Sequence, residues 1–144
     1  MEKVVVPIDV MMDEVALLLD EGREVIFKPK GHSMLPFIRE DVDSVKLRRQ
    51  ETLHIGDIVL VRINTRYVLH RIYAIEGKRL TLMGDGNLQG VEQGTCDDVK
   101  GRVVEIISPK GKARKPTKGL LWRKLLPIRK YLLKIDRKLN KVFA

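Results

Sequence analysis

The chain of 144 residues is long enough for one domain with its own core, and 44% of its residues are hydrophobic. Its net charge of +9 is unevenly distributed, because residues 1–109 carry 15 Lys or Arg against 18 Asp or Glu, whereas residues 110–144 carry 13 against one. A single cysteine, Cys96, excludes an internal disulfide and a cysteine-based metal site.

Membrane-spanning and secretory segments are not predicted. The longest apolar run near the N-terminus, Val15 to Leu19, is far shorter than the ~20 residues that a spanning helix needs. Residues 1–10 lack a basic start followed by an apolar stretch, which a secretory signal would show. The sequence therefore predicts a protein of the cytoplasm or of the membrane periphery.

The N-terminal segment predicts one short helix followed by a strand. The apolar spacing from Ile8 to Leu19 is amphipathic, and Asp9 is placed to cap its N-terminus. Gly22 is placed to end the helix as its C′ residue. The residues Glu24 to Phe27 then predict a short strand.

From residue 43 onward, the hydrophobic pattern changes to the period of two that is typical of strands. Residues 64–66 and 76–78 are short enough to be hairpin loops. Strands with tight turns after a single helix predict a mainly β domain, a coiled antiparallel sheet. The strands predicted here are Ser44–Arg48, Ile58–Ile63, Tyr67–Ile75, Leu80–Met83 and Gly101–Ile107.

The C-terminal part divides into a linker and a tail, which leaves residues 1–108 as the main domain. Residues 109–118 are predicted to be a linker, because Pro109, Gly111 and Pro116 interrupt regular structure. Residues 119–144 are predicted to form a basic amphipathic helix, since apolar residues recur at spacings of three and four.

Several partners of this tail remain open. Its apolar stripe fits packing on the domain itself or on a second copy in a homodimer. Its basic face also fits an anionic membrane surface, and specific nucleic acid binding is not expected because stacking aromatics are scarce. The residues predicted to contact a membrane or partner are Trp122, Arg123, Lys124, Arg129, Lys130 and Lys134.

A catalytic serine would need a base, and the histidines are the first candidates. His32 adjoins Ser33, but neighbouring side chains of an extended segment point to opposite sides. His54 is expected in a loop before a strand. His70 lies in the middle of an apolar strand, where a half-buried polar side chain must be hydrogen-bonded. On spacing alone, a structural histidine is the simpler interpretation.

Short motifs in a fixed order connect these residues. The motifs are Gly-His-Ser-Met-Leu-Pro at 31–36, Gly-Asp-Ile-Val at 56–59, His-Arg-Ile at 70–72 and Gly-Asp-Gly-Asn at 84–87. Together they resemble the superfamily of signal peptidase I and LexA-type serine peptidases, over roughly residues 25–107. Bacterial members carry lysine where this chain has His70, and in this respect the chain is similar to the archaeal and endoplasmic-reticulum signal peptidases.

The resemblance implies a catalytic arrangement. Ser33 matches the nucleophile, His70 the general base and Asp85 the acid that orients the base. The main-chain N–H of Ser33 would donate to the oxyanion, and Met34 and Pro36 would adjoin the substrate. No metal or organic cofactor is implied.

The family pattern has a further acid shortly after the Gly-Asp-x-Asn motif, and the nearest here is Glu92. The implied activity is serine endopeptidase cleavage that removes a signal or leader segment from a peptide or preprotein. Two alternatives remain: a LexA-like regulator that cleaves its own chain, and an inactive binding module that acts through the basic tail.

Overall fold

The structure is a computed structural model that describes residues 3–5, 12–29, 34, 37–39, 42–84 and 91–118. Its strands belong to one sheet in the order β1-β2-β3-β8-β4-β5-β6-β7, with β9 paired to β8. The β1–β2 pair is parallel and the other pairs are antiparallel. The elements are β1 (Lys3–Val5), α1 (Met12–Asp20), β2 (Glu24–Phe27), β3 (Ser44–Arg48), β4 (Ile58–Ile63), β5 (Arg66–Glu76), β6 (Arg79–Met83), β7 (Glu92–Thr95), a 3-10 turn (Cys96–Asp98), β8 (Val99–Ile107) and β9 (Ala113–Arg114).

These elements confirm the prediction of a mainly β fold with a short N-terminal helix. Helix α1 ends at a glycine cap: the N–H of Gly22 donates to Leu19 O at 3.0 Å, and that of Arg23 to Leu18 O at 3.1 Å. Gly22 has a φ of 86°, which suits the C′ position predicted for it. The N-cap predicted at Asp9 lies outside the described residues.

Strand β4 lies inside the sheet and buries both of its faces. Ile58 and Leu60 join the main core with α1, β2 and β3, whereas Val59 and Val61 join a second core with β5 and β6. A Cβ added to Gly94 of β7 would lie 3.5 Å from Val61, so β7 folds back over β4. Register shifts in the β3–β8, β4–β8 and β5–β6 pairs increase the local twist that this curling requires.

The segment predicted to be a linker contacts the sheet. Its residues Ala113 and Arg114 form β9 on the C-terminal part of β8. Beyond β9, the carbonyl of Thr117 accepts a hydrogen bond from Arg71 of β5 at 2.6 Å, and Lys118 pairs with Asp57. We call residues 113–118 the strap. The division into domains stays a prediction, and the tail 119–144 lies outside the described residues.

Helices long and apolar enough to cross a bilayer do not occur in the ranges described above.

Gly56, just before β4, lies against Lys118 of the strap, and its replacement by Ala is expected to destabilise the fold. Gly56 has a φ of 96°, and an added Cβ would lie 2.8 Å from the Lys118 side chain and 2.9 Å from its carbonyl. Backbone strain and displacement of the strap together should lower the free energy of unfolding by about 2–3 kcal/mol. Urea denaturation measures this change.

Gly111 is the matched control, because its φ is 82° and an added Cβ would meet nothing within 4 Å. Gly111→Ala should lower the free energy of unfolding by about 1 kcal/mol, from backbone strain alone. Equal losses in the two variants would contradict the contact between the strap and Gly56.

Candidate active site

Three of the predicted site residues have described side chains: Met34, His70 and Glu92. The roles of all predicted site residues stay predictions. The following lie outside the described residues: Ser33, Pro36, Asp85, Trp122, Arg123, Lys124, Arg129, Lys130 and Lys134.

The chain after Ser33 is anchored by core packing. The side chains of Met34 and Ile38 are buried in the main core. The main-chain N–H groups of Phe37 and Ile38 both donate to Met34 O at 3.0 Å. The side chain of Met34 therefore belongs to the core, where it fixes the main chain next to Ser33.

Asp43 holds the far end of this segment, a role that the sequence pattern did not indicate. Its buried carboxylate accepts hydrogen bonds from the main-chain N–H of Arg39 at 2.9 Å and from its guanidinium at 2.8 and 3.1 Å. From the strap, Arg114 donates to Phe37 O at 2.7 Å and lies 3.8 Å from Asp43. The strap and Asp43 therefore hold Phe37 and Arg39 in place.

His70 lies on β5 opposite Val59 of β4, on the side of the second core. Its side chain is buried, with its residue 5% exposed. Its Nδ1 lies 3.8 Å from Oε1 of Glu92 on β7, and this nitrogen has no hydrogen-bond partner in the described part of the chain. The sheet order β5-β6-β7 thus brings together two residues that the sequence proposed for one site.

The surroundings of His70 favour its neutral form. Burial lowers the pKa of His70 below its ordinary value of 6.5, the Glu92 carboxylate opposes this shift, and Arg66 adds to it. The other oxygen of Glu92, Oε2, accepts a hydrogen bond from Arg66 Nη2 at 2.8 Å. A neutral imidazole at neutral pH can accept a proton, and the carboxylate beside it stabilises the resulting imidazolium.

Replacing Glu92 by Gln is expected to lower the pKa of His70 further, because the variant removes the negative charge that favours the imidazolium. The imidazole proton signals of the chain, titrated by NMR, measure this pKa directly. Asp97→Asn is the matched control, since Asp97 pairs with Lys78 at the surface. An unchanged or raised pKa in Glu92→Gln would contradict the Coulombic contact.

Stability should follow the same titration. Because the pKa of His70 in the folded state lies below its unfolded value, the contribution of His70 to the free energy of unfolding is complete above about pH 6.5. This contribution is lost as pH falls through the folded pKa.

Arg71, next to His70, joins segments that are distant in sequence. Its Nη1 donates to Gly56 O at 2.8 Å and to Thr117 O at 2.6 Å, and its guanidinium lies 5.1 Å from the centre of the Phe37 ring. With 2% exposure it is one of the largest fully buried side chains. It therefore ties β5 to the strap and to the segment that follows Ser33.

Asp57, of the Gly-Asp-Ile-Val motif, has a structural role at this junction. Its main-chain carbonyl accepts the N–H of Ile72 at 2.8 Å, which joins this motif to the His-Arg-Ile motif. Its buried carboxylate accepts the N–H of His54 at 2.9 Å and pairs with Lys118. His54 lies in a loop, as predicted, with 63% of its side chain exposed.

Comparison with known proteins identifies a family that matches this chain. The family model described as Peptidase S24-like matches residues 6–102, which is more than half of the chain and includes His70, Glu92 and the position of Ser33. No curated protein matches the chain. The family match confirms the resemblance to the LexA and signal peptidase superfamily, whereas the Ser–His type stays a prediction. The chain belongs to the Peptidase S24-like family.

Proposed function

We propose that this protein is a serine endopeptidase that removes an N-terminal signal or leader segment, with Ser33 as nucleophile and His70 as general base. The observation that carries the proposal is His70 itself, a buried imidazole beside the carboxylate of Glu92 with its pKa held below the ordinary value. The S24-like family and the core anchor at Met34, next to Ser33, support it.

In this mechanism, the Ser33 hydroxyl oxygen attacks the carbonyl carbon of the scissile peptide bond while His70 accepts the hydroxyl proton. The main-chain N–H of Ser33 donates to the oxyanion of the tetrahedral intermediate. When the C–N bond breaks, the imidazolium gives its proton to the leaving amine. Water then attacks the acyl-enzyme with His70 again as the base, which releases the second product and restores Ser33.

Two acids are proposed to assist His70 in different ways. The distance of 3.8 Å between His70 Nδ1 and Glu92 Oε1 exceeds hydrogen-bond length, so Glu92 acts by its charge in this geometry. Asp85, from the family motif, is the proposed hydrogen-bond acceptor that holds the useful tautomer.

An extended substrate is proposed to add along a strand edge, which supplies main-chain hydrogen bonds and leaves alternate side chains for specificity pockets. Strand β7, which carries Glu92, ends the path of the sheet within the described residues.

A peptide library tests the proposal on many candidate substrate sequences at once. The full chain is incubated with peptides from a digested proteome, and mass spectrometry identifies new termini. We expect new termini that share side-chain preferences just before the cleaved bond. Peptides that remain intact, while the chain cuts itself at alkaline pH, would instead favour the self-cleaving regulator. Intact peptides and an intact chain would contradict a peptidase function.

A further inference from the structure

A cleft of about 510 Å³ lies between the strap and the face of β3 and β8 that is turned away from the main core. Ligand sites commonly have volumes of this order. Five basic and two acidic residues line it. The basic ones come from separate segments: Lys46 and Arg48 from β3, Arg102 from β8, and Lys115 and Lys118 from the strap.

Arg102 differs from its basic neighbours in its partners. Its Nη1 lies 3.8 Å from Asp57 Oδ1, beyond hydrogen-bond distance, and its buried Nε has no hydrogen-bond acceptor in the described part of the chain. A buried donor without an acceptor is unfavourable, so a shift of the Arg102 side chain that pairs Nε with an oxyanion in the cleft would be stabilising. Three of the other cations have acidic partners: Lys46 with Glu105, Arg48 with Glu24 and Lys118 with Asp57.

We propose that this cleft binds the phosphate group of an anionic phospholipid. The planar guanidinium of Arg102 matches two phosphate oxygens at once, and a lysine ammonium from the strap can bind a third. A carboxylate offers two oxygens and would leave more of these donors unsatisfied.

The basic residues that follow the strap favour a lipid surface as the source of the phosphate. Lys118, in the wall of the cleft, is followed directly by residues 119–144, which carry eight Lys or Arg and one Asp. A basic segment of this kind is attracted to anionic membranes, so a lipid surface would satisfy the cleft and the adjoining segment together.

The cleft also lies near the candidate base. Val59 of β4 pairs with His70 of β5 on one side and with Arg102 of β8 on the other. The main chains of His70 and Arg102 are therefore about two strand spacings, ~10 Å, apart. A lipid head group in the cleft would therefore hold His70 close to the membrane surface.

The site-specific test is an NMR titration of the ¹⁵N-labelled full chain with glycerol 3-phosphate. We expect saturable shifts of amides that line the cleft, at Gly56, Arg102 and Thr117. Arg102→Gln should weaken this binding about tenfold. Lys78→Gln removes the same charge from the β5–β6 hairpin, where the side chain is 79% exposed, and should change nothing. Shifts confined to other residues, or equal affinity in the two variants, would overturn the site.

Vesicles distinguish a lipid from free phosphate. Co-sedimentation with phosphatidylcholine vesicles containing phosphatidic acid should be weaker for Arg102→Gln than for Lys78→Gln. Equal co-sedimentation of the two variants would overturn the lipid assignment. A hexaglutamate peptide tests carboxylates in the NMR titration, and larger shifts of the cleft amides with this peptide than with glycerol 3-phosphate would also overturn it. If Arg102→Gln does not fold, Arg102→Lys keeps the charge, loses the fork geometry and should also bind more weakly.

Discussion

Ser33→Ala is expected to abolish peptide cleavage while the domain stays folded. The variant removes the hydroxyl that forms the acyl-enzyme, and in serine peptidases loss of the nucleophile lowers kcat by on the order of 10⁶. The neighbouring Met34 holds this segment through its own burial, so the fold should not depend on the hydroxyl. Cleavage assays on a peptide found in the library screen, with thermal melting in parallel, measure both expectations.

Ser44→Ala is the matched control for this variant. Ser44 begins β3 and pairs with Ile107 of β8, so the same chemical change there should leave kcat unaltered. Undiminished cleavage by Ser33→Ala would refute the nucleophile assignment. Equal loss in both serine variants would show that the assay reports stability.

Replacing His70 should be nearly as damaging, because no other group would take the serine proton. We expect His70→Gln to lower kcat by on the order of 10⁴ to 10⁶ and the Ser33→Ala, His70→Gln double variant to be no slower than the slower of the two single variants. Gln fills more of the buried site than Ala would, which limits the loss of packing in the second core.

His54→Ala is the control for His70, since His54 lies in an exposed loop and its N–H bond to Asp57 survives truncation. In the wild type, kcat/KM should fall as pH drops through the pKa of His70, which lies below 6.5, and His54→Ala should keep this acid limb. A shifted acid limb of the kcat/KM profile in His54→Ala, or full activity in His70→Gln, would show that another group is the base.

Local patterns predicted most of the sheet. The limits of β2, β3 and β4 agree with the predicted segments, and β3 shows the alternation in its buried Val45 and Leu47. Strand β7 was missed because its sequence, Glu-Gln-Gly-Thr, has no apolar alternation, and its pairing with β6 is imposed by the fold. Strands β1 and β9 were missed as well, since each is short.

The candidate site was predictable where one residue carried the signal. A histidine in an apolar strand predicted a buried side chain, and His70 is buried. The contacts of Arg71 with Gly56 and Thr117 could not be predicted, because they depend on the path by which the strap returns over the sheet. The closeness of Glu92 to His70 likewise follows from the order of β5, β6 and β7.

Trapping the acyl-enzyme tests the central claim most directly. The full chain is mixed with an intact peptide that it is known to cleave, and the reaction is quenched in acid within one turnover. The protein is then digested, and mass spectrometry locates the covalent adduct. We predict an acyl group on Ser33 in the wild type and none in Ser33→Ala. An adduct on another residue, or rapid cleavage that leaves no adduct while Ser33→Ala remains active, would contradict the assignment of Ser33 as the nucleophile.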